Sequence, residues 1–121
     1  MARLREWART RATKRIGAAV REHPARLYAF DMLAYGDGDL RQVSLVERKE
    51  RLRKSFENTG TLIYVSGVES VGEWVWSQVQ KHSLEGMAAK RLDSRYQRGR
   101  SRDWLKIKYA DYDRPAALGF R

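Results

Sequence analysis

Twice in this chain a serine stands three residues ahead of a glutamate at the mouth of a run with helical spacing: Ser44 before Glu47, and Ser70 before Glu73. In such a pair the serine oxygen and the glutamate carboxylate satisfy amides that the first helical turn leaves unbonded. The pairs predict helices from Leu45 to about Phe56 and from Val71 to about His82, the second with Trp74, Val75 and Val79 as its apolar stripe. What lies before, between and after them is a set of short segments rich in β-branched and aromatic residues. An alternation of this kind, with no internal repeat and no convincing linker, points to one α+β unit.

The segments have distinct characters. In Arg26-Leu27-Tyr28-Ala29-Phe30-Asp31-Met32-Leu33 a strand would put Tyr28, Phe30 and Met32 on one face and Ala29, Asp31 and Leu33 on the other. If Phe30 faces a bound ligand, Asp31 on the opposite face is structural, capping a turn or pairing with an arginine. Gly36-Asp37-Gly38-Asp39 is a turn. Thr61-Leu62-Ile63-Tyr64-Val65 and Glu85 to Arg91 are further strands, and a polar loop from Asp93 to Arg102 leads to Trp104-Leu105-Lys106-Ile107-Lys108. Alternation in this last strand sends Leu105 and Ile107 to a dry face and Trp104, Lys106 and Lys108 to the other, with the two ammonium groups about 7 Å apart. Such a pair can grip a phosphate.

Upstream, Leu4, Ala8, Ala12, Ile16 and Val20 recur every four residues with Trp7 and Ala19 alongside, the pattern of an amphipathic helix. Six arginines and one lysine face only Glu6 and Glu22 over its first 22 residues, and Pro24 should stop it near His23. The chain of 121 residues is then read as a basic helix over 1–23, a folded segment over 24–110 and a tail over 111–121. Its net charge of +10 favours polyanions such as nucleic acid or nucleotide phosphates, although the same excess would also serve solubility. Without cysteine there are no disulfides or thiolate zinc sites, and no apolar run approaches a membrane span, so a soluble, cytoplasmic protein without membrane contact is expected.

Three segments, in order, carry a family resemblance. Tyr28-Ala29-Phe30-Asp31-Met32-Leu33 resembles motif IIIa of the ATP-dependent DNA ligases, Leu84-Glu85-Gly86-Met87-Ala88-Ala89-Lys90-Arg91 resembles motif IV, and Asp103-Trp104-Leu105-Lys106-Ile107-Lys108 resembles motif V. Leu92-Asp93-Ser94-Arg95-Tyr96 and Gly99-Arg100-Ser101-Arg102-Asp103-Trp104 are similar to the ligase part of the bacterial end-joining ligase D proteins. The fold this implies is the second portion of the ATP-grasp-like adenylation domain, antiparallel strands flanked by helices.

In that family a lysine attacks the α-phosphate of ATP, and the AMP passes to the 5′-phosphate of a DNA nick before the 3′-hydroxyl displaces it. The resemblance implies that Phe30 stacks on adenine, that Glu85 holds Mg2+ or Mn2+ through its carboxylate, and that Lys106 and Lys108 contact the α-phosphate. Lys90, Arg91 and Arg102 are carried along as contacts to DNA or phosphate. Phosphoryl-type transfer is mostly positioning and charge neutralisation, which such groups can supply. Taken singly, each has a plainer reading: Phe30 as core, Glu85 as an exposed strand carboxylate, the lysines as the wet face of an edge strand.

No Lys-x-Asp-Gly run, the family's nucleophile motif, occurs in the 121 residues. Lys14-Arg15-Ile16-Gly17 comes nearest, but it has isoleucine where aspartate belongs and reads as part of the first helix. The motif III Asp-Gly-Glu, the basic segment with its arginine and the C-terminal OB-fold domain are missing too. The expectation is therefore no catalytic residue of its own and a partial nucleotide pocket, since lysyl-AMP needs its lysine. A non-catalytic basic module holding DNA, and a partner of a complementary ligase chain that restores activity, are the alternatives. Missing strands would also leave open edges and bare apolar surface, which invite self-association.

Overall fold

The computed structural model describes residues 13–113. The expected helix positions Leu4, Trp7, Ala8 and Ala12, and the tail beyond Asp113, lie outside them. Within them the order is α1 (Thr13–Glu22), β1 (Leu27–Ala29), β2 (Ala34–Tyr35), β3 (Gly38–Asp39), α2 (Leu45–Ser55), β4 (Leu62–Tyr64), α3 (Gly72–Lys81), β5 (Gly86–Lys90) and β6 (Trp104–Lys108). The chain is α+β, as the alternation of segments implies.

α1 stops where Pro24 requires, with His23 N–H donating to Ala19 O at 2.8 Å. β1 is shorter than the sequence suggests, ending at Ala29 so that Phe30 to Leu33 run as irregular backbone. It pairs with β4 in parallel, Tyr28 opposite Ile63, which corrects the expectation of antiparallel strands for this pair. Two neighbouring parallel strands need a long crossover, and the β2–β3 hairpin with α2 provides it. The other two pairs, β2–β3 and β5–β6, are antiparallel. Gly36, at φ 56°, sits in the hairpin turn, where the left-handed conformation favours glycine.

α2 begins as its serine predicts. Ser44 Oγ accepts from Glu47 N–H at 3.5 Å and donates to the Glu47 carboxylate at 2.7 Å, so the glutamate binds the serine hydroxyl rather than its amide. α3 does not follow its signal. Val71 is the N-cap and makes no side-chain cap bond, while Ser70 takes φ 60°. The helix starts one residue late, which moves Glu73 out of the third-position register that a capping box needs. Trp74 leaves the expected stripe as well: it is 58% exposed, whereas Val79 is buried.

Among the described residues the buried apolar side chains are Ala19 on α1, Leu40 just before α2, Leu45 and Leu52 on α2, and Val79 on α3. Leu27, Tyr28, Phe30, Tyr35 and Leu105 each expose more than half of their surface. Each described sheet has two strands, so every strand keeps an open edge. No described helix is long and apolar enough to cross a membrane.

Candidate functional site

The β5–β6 hairpin brings the candidate residues together. Directly opposed residues of an antiparallel pair share a face, and the register sets Lys90 against Trp104, Ala88 against Lys106 and Gly86 against Lys108. One face therefore carries three lysines, with alanine and glycine across from two of them. Gly86 is needed there: a Cβ would collide with Ile107 O and lie 3.0 Å from Lys108 Cα. The other face is less dry than its sequence predicts, because Leu105 is 53% exposed and Ile107 only half-buried. Two strands alone cannot cover both sides of so small a sheet.

An open recess of about 420 Å3 lies over this hairpin, bordered by Glu85, Gly86, Ala88, Lys90, Trp104 and Lys106. That is within the usual size of small-molecule sites. Glu85 Oε1 stands 3.8 Å from Lys106 Nζ. Lys108 is on the same face, one pair further along, and does not border the recess. A second recess of about 410 Å3, lined by Tyr28, Phe30, Asp31, Leu33, Tyr96 and Trp104, adjoins it across Trp104. Lys90 Nζ lies 4.3 Å from the Trp104 ring centre and 4.8 Å from that of Phe30. Both separations are in the range of attraction between a cation and an aromatic face. Phe30 itself is 56% exposed, which sets aside the reading of it as core.

Behind these groups stands a buried network. Arg48, fully enclosed on α2, donates from Nε to Asp31 Oδ1 at 2.8 Å and from Nη2 to Oδ2 at 3.0 Å. Its Nη1 donates to Val43 O at 2.7 Å and to Ser94 O at 3.3 Å. Ser94 Oγ accepts from Trp104 Nε1 at 2.8 Å and donates to Arg91 O at 2.6 Å, and Tyr96 meets Trp104 edge-on at 5.6 Å. The expected arginine partner of Asp31 is thus Arg48. Every donor of this inward-facing guanidinium that is drawn upon meets a backbone or carboxylate oxygen, the condition under which a buried charge is tolerated.

Lys49, next along α2, donates to Phe30 O at 3.1 Å and to Val65 O at 2.8 Å, with its ammonium 5.4 Å from the Tyr64 ring centre. Partial burial, helped by the charge of Lys90, holds the Lys49 ammonium below its ordinary pKa, and Asp31 opposes the shift. Arg48, Lys49 and Ser94 escape sequence reasoning because each looks like an ordinary surface residue. Only the Ser44 cap, which fixes the phase of α2, hints that Arg48 shares the buried face of Leu45 and Leu52.

Arg91 and Arg102 separate. Both are exposed, but Arg91 is paired with Asp93 at 2.9 Å and Asp103 at 3.3 Å. The carboxylates beside Arg91 also raise its pKa, Asp93 foremost. For a divalent metal, the described residues contain no group of three or more His, Asp or Glu side chains that would enclose an ion. Glu85 offers one hard carboxylate at the recess edge, which suits an ion whose other ligands are phosphate oxygens and water, the usual manner of Mg2+.

Comparison with known proteins identifies the family. The chain is 31% identical over 101 residues to a DNA ligase of Sulfurisphaera tokodaii, covering 77% of this chain and 17% of that protein. It is 36% identical over 85 residues to the multifunctional non-homologous end joining protein LigD of Pseudomonas aeruginosa, covering 68% of this chain and 10% of that protein. DNA ligase 1 of Saccharomyces cerevisiae is 36% identical over 92 residues, 68% of this chain and 12% of its own. The chain thus spans between a tenth and a sixth of the length of these relatives, and LigD stands among them beside the Sulfurisphaera and Saccharomyces ligases. Residues 2–108 match the family described as ATP dependent DNA ligase domain, and with most of its length inside that match the chain belongs to the ATP-dependent DNA ligase family.

Proposed function

We propose that this chain is the nucleotide- and DNA-binding part of a ligase adenylation domain of the end-joining, ligase D type, and that its 121 residues do not form lysyl-AMP by themselves. The carrying observation is the shared face of Lys90, Lys106 and Lys108, flanked by Phe30 and Trp104. Lys106 and Lys108 would neutralise the phosphates of ATP, and Phe30 would offer its exposed ring to adenine. Lys90 would have to yield one face of that ring or share it with the base. Glu85 would hold Mg2+ or Mn2+, which when bound supplies charge neutralisation to phosphate oxygens. The end-joining assignment rests on Leu92 to Tyr96 and Gly99 to Trp104, with LigD among the relatives.

The domain boundaries proposed with this reading are the basic helix over 1–23, the adenylation segment over 24–110 and the tail over 111–121. Residues Leu27 to Lys108 hold the described strands, and Leu27 and Lys108 both fall inside 24–110.

The test is incubation with ATP labelled at the α-phosphate and magnesium or manganese, followed by denaturing electrophoresis and, in parallel, equilibrium binding. Bound ATP with no covalent label is the expected result, and Lys106→Gln with Lys108→Gln should lower affinity about tenfold or more, since a hydrogen bond to a charged group is worth ~1.5–3 kcal/mol. Covalent label on this chain would overturn the claim that it lacks a nucleophile. Label appearing only when a chain bearing Lys-x-Asp-Gly is added would identify the complementary-partner arrangement.

A second reading, a non-catalytic nucleic-acid-binding module, is favoured by the exposed Arg95, Arg98, Arg100 and Arg102 in the β5–β6 loop. DNA binding with a steep salt dependence and no ATP binding would select it.

A further inference from the structure

We infer that Lys49 is a positioning residue for the base-stacking ring, acting through the backbone of Phe30. This rests on the proposed stacking of a base on Phe30 and adds a group to which no family motif points.

The parallel β1–β4 ladder ends at Val65 N–H donating to Ala29 O at 2.9 Å. The ladder stops at that rung, and among the described residues no backbone N–H donates to the next carbonyls, Phe30 O and Val65 O. Lys49 reaches from α2 into the gap and donates to both, at 3.1 Å and 2.8 Å. One ammonium therefore takes the place of a missing rung and ties the backbone of Phe30 to both β4 and α2. Because Phe30 lies outside the strand, its φ and ψ are not set by a ladder, and its exposed ring is held by little beyond the Lys90 ammonium. The direction of the ring relative to the lysine face then depends on what holds its backbone.

Two restraints do so: the Arg48–Asp31 pair one residue on, and Lys49 at Phe30 itself. They differ in reach. Arg48 also braces Ser94, and through it Trp104 and the whole hairpin, so its loss would disturb the phosphate side too. The bonds of Lys49 end at Phe30 and Val65, and the Tyr64 ring lies beside it. Its loss should therefore be felt at the base and not at the phosphates, a separation that a merely structural role would not produce.

The experiment compares ATP with inorganic tripolyphosphate, which has the phosphates and no base, as probes of the full chain carrying Lys49→Met, Lys49→Arg or Phe30→Ala. Lys49→Met should weaken ATP about tenfold and leave tripolyphosphate within twofold, and Lys49→Arg, which keeps the donors, should restore most of the loss. Equal weakening of both probes, or no weakening of ATP while Phe30→Ala does weaken it, would overturn the role of Lys49 alone. If Phe30→Ala leaves ATP unaffected, the stacking reading itself fails, and the inference with it.

Discussion

Arg48 and Asp31 meet in a two-pronged ion pair, at 2.8 and 3.0 Å, with the arginine side chain fully enclosed and the aspartate 8% exposed. This pair joins the irregular segment after β1 to α2, and through Ser94 it reaches the ring of Trp104. Removing one partner strands the other charge away from water. Arg48→Met should therefore cost ~3–5 kcal/mol in urea unfolding, and Asp31→Asn less, ~1–3 kcal/mol. The double variant should lose clearly less than the two losses added, because the groups are in direct contact. Additive losses would show that the pair is not coupled.

Gly86 and Lys108 lie opposite each other so closely that the hairpin has no room for a side chain. Gly86→Ala should destabilise the chain by ~1–3 kcal/mol through overpacking and should weaken tripolyphosphate and ATP alike, since it spreads the strand that carries the lysines. Calorimetric melting with parallel binding isotherms would measure both. Unchanged binding by a melted-down variant would separate the hairpin from the site.

Arg91 and Arg102 should behave differently toward DNA. Arg91 is occupied by Asp93 and Asp103, so Arg91→Ala should change oligonucleotide affinity little. Arg102→Ala should weaken binding across sequences and lower the salt slope by about one, as expected for a lost phosphate contact. Fluorescence anisotropy over a range of salt concentrations reads both quantities.

Lys49 offers a pH signature. Its folded-state pKa lies below the ordinary 10.5, with burial the main cause and the charge of Lys90 the next. Between the folded midpoint and 10.5 the unfolded chain holds this proton more firmly than the folded one. The charged form is therefore less favoured, relative to the neutral one, in the folded chain than in the unfolded one, and stability rises as pH climbs from the folded midpoint towards 10.5. Nitrogen NMR of the lysine ammonium groups should place Lys49 below 10.5, and Lys90→Ala should move it upward.

The open strand edges and the exposed Leu27, Tyr28 and Tyr35 predict self-association. Light scattering should return a mass above the 14.1 kDa of one chain, and Leu27→Lys at the free edge of β1 should lower it. A monomer at all concentrations would count against this expectation.

What the sequence determined alone is local. Period-two alternation was enough to place Trp104, Lys106 and Lys108 on one side of a strand, because side chains in a strand must alternate whatever the strand pairs with. The Ser44–Glu47 pair located the start of α2 for a similar reason, since it acts within a single turn. The family motifs, read in order, pointed to the ATP-dependent ligases, and residues 2–108 match that family. The tertiary structure decided everything that depends on partners distant along the chain. It paired β1 with β4 in parallel, delayed α3 past Ser70, left Trp74 and Leu105 open, and brought Lys90 between Phe30 and Trp104. It also enclosed Arg48 fully and drew Lys49 partly inward, against the usual preference of such residues for water. Local pattern cannot foresee that, because a cation leaves water, wholly or in part, only where oxygens from separate segments converge on it. Here those oxygens come from Asp31, Val43 and Ser94 for one and from Phe30 and Val65 for the other.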